Sequence, residues 1–156
     1  MSLLYVDSPV GRIVIGGDEE YISCVSFTDG KEEAATGGEP PALLRECAAQ
    51  LEAYFRRELR RFDLPIQQEG TPFQQLIWQN LLTIPYGETI TYLALAKRAG
   101  NVKSIRAAGT ANGRNNIAII VPCHRVIGSN GVLTGYAGGL WRKQFLLDLE
   151  KGGLLF

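Results

Sequence analysis

Five residues, Pro122-Cys123-His124-Arg125-Val126, place the chain's only histidine beside one of its three cysteines. A thiol of ordinary pKa, about 8.5, is mostly protonated at neutral pH, and the thiolate is the nucleophile. An imidazole that takes the thiol proton, directly or through a water, turns Cys123 into a strong nucleophile. A carboxylate is then needed on the imidazole's other nitrogen, to orient the ring and balance its charge. Residues 68–156 contain four carboxylates, Glu69, Glu88, Asp148 and Glu150. Asp148 and Glu150 close the last predicted helix and are the natural partners. Taken alone, the dipeptide is more readily an adjacent pair with no chemistry.

The remaining cysteines, Cys24 and Cys47, fall in apolar patterns and read as small core residues. Three widely spaced cysteines argue against a disulfide framework and for a reducing compartment. With one histidine and no CxxC pair, a zinc site is not expected. No apolar run approaches the roughly 20 residues a bilayer span requires. The start, MSLLYVDSPVGRI, lacks the basic and apolar regions of a secretory signal. The chain is therefore expected in the cytoplasm, with no membrane partner.

The elements that must position the pair follow from periodicity. Residues 3–6, 9–16 and 21–27 are rich in β-branched and aromatic residues between turn signals and read as a meander. Residues 28–40 are a polar, Gly-rich loop. Pro41 to Arg57 is an amphipathic helix with Leu44, Cys47, Leu51, Tyr54 and Phe55 inward. Residues 62–66 read as one more strand, and Gln67 to Gly70 as a hinge. Thr71 suits an N-cap and Pro72 the first helical position. Phe73, Leu76, Ile77, Leu81 and Leu82 then form a helical stripe, ended by Ile84-Pro85-Tyr86-Gly87. Thr91 to Ala99 and Lys103 to Ala111 are two short helices about Gly100-Asn101, the helix-turn-helix layout. The apolar run 117–121 reads as buried backbone, and Ser129-Asn130-Gly131 as a hairpin turn, hence a wing. Residues 139–150 form a last helix with Leu140, Phe145, Leu146 and Leu149 inward, capped by Gly152-Gly153.

Net charge is zero but unevenly placed. Residues 1–67 hold 7 Lys+Arg and 12 Asp+Glu, whereas residues 68–156 hold 9 and 4. The basic half is compatible with a phosphate backbone without demanding one. The predicted fold class is α/β, of the α+β kind. A small, acidic, structural sheet-plus-helix lobe (1–67) precedes a winged-helix-like helix-turn-helix lobe (68–156) carrying the active site.

The Pro122–Val126 motif, preceded by Asn115 and an aliphatic run, closely resembles the active-site signature of the O6-alkylguanine-DNA alkyltransferases, the methylated-DNA–protein-cysteine methyltransferases. Thr71-Pro72-Phe73-Gln74, Ile84-Pro85-Tyr86-Gly87-Glu88-Thr89, Thr91-Tyr92, Arg106-Ala107-Ala108-Gly109 and Gly135-Tyr136-Ala137-Gly138-Gly139 resemble further segments of that family, in order. About 85 residues match, and the first half matches loosely.

The resemblance implies direct-reversal repair. Cys123 would take the alkyl group from O6-alkylguanine, and by extension O4-alkylthymine, in an irreversible single-turnover transfer. His124 would act as base through a water, Glu150 would orient His124, and Asn115 would brace the turn. Base flipping is required, because O6 is inaccessible within a duplex. Arg106 would fill the vacated stack and Tyr92 would press on the neighbouring phosphate. Thr91, Ala107, Ala108, Arg114 and Arg125 complete the implied DNA-contacting set. Tyr92, Val126, Tyr136, Ala137 and Gly138 would form the substrate pocket. The Ala137 N–H would donate to O6, and the carbonyls of Cys123 and Val126 would accept from the exocyclic amine. Small residues at Ala137 and Gly138 predict that groups larger than methyl fit. No cofactor is implied. The partner is double-stranded DNA bearing O6-alkylguanine, bound by a monomer. The leading alternative is a noncatalytic binder of alkylated DNA, whose family carries tryptophan where Cys123 stands. A Cys-His-Glu hydrolase and a winged-helix regulator are the others.

Overall fold

A computed structural model describes residues 1–29, 38–100 and 104–152. The chain divides into two compact units, Met1–Gln68 and Glu69–Phe156. No helix among the described residues is long and apolar enough to cross a membrane.

In the first unit, β1 (Ser2–Val6), β2 (Arg12–Gly17) and β3 (Ile22–Thr28) form an antiparallel meander. The register pairs Tyr5 with Val14 and Ile15 with Val25. Ile13 and Ile15 alternate onto the buried face, where a strand's period of two places them together. Helix α1 (Ala42–Phe55) covers the sheet with Leu44, Cys47, Leu51 and Tyr54. Each fully buried Leu or Ile contributes roughly 1.5–3 kcal/mol. The strand expected to begin at Pro9 starts at Arg12 instead, because Ser8 to Gly11 form a turn closed by Gly11 N–H donating to Ser8 O. The strand expected at 62–66 reduces to one bridge, Ile66 beside Ile22. The loop expected over 28–40 lies mostly outside the described residues.

In the second unit, α2 (Pro72–Leu81) opens with Thr71 as N-cap, Pro72 in the first turn and a reciprocal box with Gln74. The Thr71 hydroxyl accepts from Gln74 N–H while the Gln74 side chain accepts from Thr71 N–H, satisfying donors that the helix start leaves free. The buried face of α2 is Ile77, Trp78 and Leu81, whereas Leu76 and Leu82 are exposed. The stripe is thus rotated toward Trp78, whose indole N–H donates to Ala111 O at 2.9 Å.

Strand β4 (Ile90–Thr91) leads directly into α3 (Tyr92–Arg98), where the Thr91 hydroxyl accepts from Ala94 N–H. Helix α4 (Ile105–Gly113) packs on α2 and α3. The expected third-helix start at Lys103 and the stop at Asn101 lie outside the described residues. Strand β5 (Val126–Ile127) pairs parallel with β4, Ile90 to Val126 and Thr91 to Ile127. This pairing sets the start of α3, with Tyr92, beside the strand that leaves Arg125. The turn expected at Ser129-Asn130-Gly131 follows β5 directly: Gly128 N–H donates to Val132 O and Gly131 N–H to Gly128 O, both at 2.9 Å. Helix α5 (Leu140–Glu150) closes the unit. Leu140 is exposed, against expectation, while Leu146, Leu147 and Leu149 are buried. Gly152 follows with a positive φ of 70°, the left-handed cap that glycine supplies without a Cβ penalty. Gly153, expected beside it, lies outside the described residues.

Candidate active site

Residues 117–123 are buried but are a succession of tight turns. Ile120 N–H donates to Ala118 O and Cys123 N–H to Val121 O. Ile119 sits at φ 71°, a strained conformation for a β-branched residue. Asn115 holds this turn from inside. Its amide donates to Ile117 O at 3.2 Å and Val121 O at 2.8 Å, and its oxygen accepts from Ile117 N–H at 3.1 Å. Its side chain also hydrogen-bonds Cys123. Asn115 thus shapes the backbone that presents the thiol and touches the thiol itself.

Cys123 to Arg125 form a single 3-10 turn, and all three side chains are buried. His124 Nε2 and Glu150 Oε2 are 2.6 Å apart, with both side chains fully buried. Arg125 Nε donates to Glu150 Oε1 at 2.8 Å and its Nη2 to Oε2 at 3.1 Å. Gly87 N–H adds a donor to Oε1 at 3.3 Å. Burial alone would raise the Glu150 pKa, but the bonds and charges of His124 and Arg125 hold this carboxyl far below the usual range. It is an anion. Burial pushes the His124 pKa down, against the pull of Glu150, so the ring rests neutral. With Glu150 ionised, the single ring proton belongs on Nε2. Nδ1 is then a bare acceptor, buried and with no hydrogen-bond partner among the described residues. The Cys123 thiol is pushed up by burial, opposed by the Asn115 bond and the Lys143 charge. The resting pair is a thiol next to a neutral base. Asp148, the other carboxylate considered, bonds Gln144 on an exposed face instead.

The turn at Ile84–Gly87 supports this arrangement. Arg125 Nη1 donates to Ile84 O at 2.7 Å and its guanidinium lies 5.8 Å from the Tyr86 ring centroid. Gly87 has φ 80°, and a Cβ there would come within 3.2 Å of Glu150 O. Arg125, expected to contact DNA, is therefore corrected: its guanidinium is buried against Glu150 and Ile84 and braces the site.

The other implied DNA contacts divide. Arg106 and Ala107 are exposed on α4, and Arg114 is exposed at its C-cap. Ala108 is fully buried, which corrects its expected contact; one residue from Ala107 turns it by about 100° to the inner face of the helix. Thr91 is half-buried and occupied as N-cap. Tyr92 is half-buried and its hydroxyl donates to Thr134 O at 3.3 Å. Among the implied pocket residues, Val126 is fully buried, Ala137 is exposed, and Gly138 is half-buried. The Tyr136 hydroxyl is kept neutral, its pKa pushed well above the ordinary value chiefly by burial.

Three polar residues of the site carried no sequence expectation. Asn112, 5% exposed on α4, donates to Cys123 O at 3.3 Å. Lys143 is fully buried, with Nζ donating to Thr134 O at 2.9 Å. Arg142, 4% exposed, donates to Gly138 O at 3.0 Å. The spacing Lys143, Leu146, Leu147, Glu150 marks one helical face and is the signal that places Lys143 inward. Among the described residues no three Cys, His, Asp or Glu side chains gather as a metal site.

Residues 72–152 match the family described as "6-O-methylguanine DNA methyltransferase, DNA binding domain", and residues 2–68 match its "ribonuclease-like domain". The chain belongs to the 6-O-methylguanine DNA methyltransferase family. Within that family it is similar to the methylated-DNA–protein-cysteine methyltransferase of Methanosarcina acetivorans, 54% identical over 92% of this chain and 94% of the relative. It is also similar to that of Mycobacterium leprae, 47% identical over 96% and 92%. Among solved structures of the family, the crystal structure of Mycobacterium tuberculosis OGT in complex with DNA superposes with a TM-score of 0.89. It is 44% identical and covers 97% of this chain and 94% of that one.

Proposed function

We propose that this protein is a direct-reversal DNA repair methyltransferase that moves the alkyl group of O6-alkylguanine in duplex DNA onto Cys123. The observation that carries this reading is the buried His124–Glu150 pair. It leaves His124 Nδ1 as a bare acceptor next in sequence to the thiol.

The thiol proton passes through a water to His124 Nδ1, and Glu150 stabilises the imidazolium that forms. Cys123 Sγ then attacks the alkyl carbon. The S–C bond forms, the C–O6 bond breaks, and its electron pair leaves on the guanine, which takes up a proton to restore the normal base. The Ala137 N–H polarises O6 and improves the leaving group. The product at Cys123 is a thioether with no facile leaving group, so each molecule acts once. Arg106, exposed on α4, fills the stack when the damaged base is extruded, and Tyr92 presses on the adjacent phosphate. The reading includes a cytoplasmic monomer that needs no cofactor, since DNA supplies the alkyl group. The test is repair stoichiometry. With duplex in excess, one normal guanine should appear per protein molecule and no more. Repeated turnover, or no restored guanine with the Cys123→Ser variant equal to the unaltered protein, would overturn it.

A further inference from the structure

The first turn of a helix favours acidic side chains, because its free N–H groups carry partial positive charge. The first turn of α5 contains none. Instead it carries Arg142 and Lys143, which are 4% and 0% exposed. Two buried cations at the positive end of a helix are disfavoured by desolvation and by the dipole alike. Something else must hold them there.

Their hydrogen bonds go to one short segment. Lys143 Nζ donates to Thr134 O at 2.9 Å and Gly135 O at 3.4 Å. Arg142 Nη1 donates to Gly138 O at 3.0 Å. Between these points lie Tyr136 and Ala137. Residues 134–138 form neither helix nor strand, and Gly135 and Gly139, with φ of 37° and 92°, leave the backbone free to turn at both ends. The Arg142 guanidinium also lies 4.7 Å from the ring centroid of Trp141. Trp141 is 56% exposed, so its ring covers the guanidinium on the solvent side. A planar guanidinium can stack on a ring and donate in its own plane at once, which an ammonium cannot.

We propose that Arg142, covered by Trp141, is a positioning residue that fixes the Tyr136–Gly138 segment in its reactive geometry before substrate arrives. It acts through the Gly138 carbonyl and touches no reacting atom. The inference rests on the reading that this segment lines the alkylguanine site. It assigns Trp141 a role that its exposure alone does not suggest.

The experiment compares Arg142→Met, Arg142→Lys and Trp141→Ala in single-turnover transfer from O6-methylguanine, as free base and in duplex DNA. Iodoacetamide alkylation of Cys123 is measured alongside, because a small electrophile does not need the segment. Arg142→Met should slow transfer roughly tenfold or more on both substrates, the loss implied by one charge-assisted hydrogen bond. Its iodoacetamide rate should stay within about twofold of the unaltered protein, since the His124–Glu150 pair is intact. Arg142→Lys should recover part of the rate, and Trp141→Ala should lose a smaller part. Transfer by Arg142→Met at the unaltered rate would overturn the proposal. Parallel loss of transfer and of iodoacetamide reactivity would also overturn it, by showing general damage. Should Arg142→Met fail to fold, Trp141→Ala decides: an unchanged transfer rate refutes the cover. No transfer by the unaltered protein would instead overturn the reading of the site itself.

Discussion

Replacing Arg125 by Met separates a structural brace from a DNA contact. The guanidinium gives two hydrogen bonds to Glu150, at 2.8 and 3.1 Å, and one to Ile84 O at 2.7 Å. Met fills a similar volume but gives none of these. Glu150 keeps His124 and Gly87 as donors and loses its only full positive charge among these partners. Breaking a buried pair by removing one partner costs about 3–5 kcal/mol. Against a total stability on the order of 5–15 kcal/mol, that is a large fraction. At about 2–4 °C per kcal/mol for a chain of this size, Tm should fall by roughly 10 °C. The Glu150 pKa should also rise toward the ordinary carboxylate value, because a cation that depressed it is gone. Duplex affinity against salt should keep the same slope, since no phosphate contact is lost. If Arg125 met a phosphate, the slope would shrink by about 0.9 and stability would hardly change. Thermal unfolding and a salt titration of duplex binding decide between them. An unchanged Tm with a reduced slope would refute the brace.

Acid should destabilise the protein in two steps. The unfolded chain protonates His124 at about pH 6.5, whereas burial moves the folded value lower. Stability from this group is therefore full above that pH and is lost as pH falls through the gap. Glu150, held far below the ordinary value of about 4.3, adds a second loss beneath it. Denaturant unfolding at a series of pH values should show both, and His124→Gln should remove the first; an unchanged profile would contradict the neutral buried ring. Asn115→Ala removes the side-chain partner of the Ile117 amide, a loss worth about 1–3 kcal/mol when buried and unpaired, and takes one of two donors from the Ile117 and Val121 carbonyls, which keep the Val121 and Cys123 N–H groups. It should lower stability by at least that much and slow transfer more than a hundredfold by loosening the Ile119 turn, measured by unfolding and single-turnover kinetics. Arg106→Ala, on an exposed side chain, should change stability by less than about 0.5 kcal/mol. It should slow repair of duplex DNA more than transfer from free O6-methylguanine; equal losses would count against base flipping.

The reactive centre is legible because Cys123, His124 and Arg125 are contiguous and Glu150 is one of few carboxylates in its half. The helix starts at Thr71 and Thr91 are legible for a local reason, since capping is decided within four residues. What the sequence hides depends on partners outside the element itself. Asn130-Gly131 is a good turn signature, but nothing local reveals that Val126 pairs with Ile90. Periodicity does not reveal that Arg125, Arg142 and Lys143 are buried, because it treats a charged residue as outward. Arg125 is satisfied by a carboxylate and a carbonyl distant in sequence, Glu150 and Ile84, whereas Arg142 and Lys143 are satisfied by carbonyls of the irregular segment just before their own helix. Ala107 and Ala108 are alike in type and differ only by the helix turn between them.

The claim at the centre is that Cys123 itself accepts the alkyl group, once. Its most direct test is the intact mass of the protein after reaction with excess duplex carrying one O6-methylguanine, followed by mapping of the modified peptide. The account predicts a gain of one methylene unit, complete at one equivalent and located on Cys123. Tight, damage-dependent binding with no change in mass would contradict it and leave a recognition protein in which the Cys123-His124-Glu150 relay does nothing.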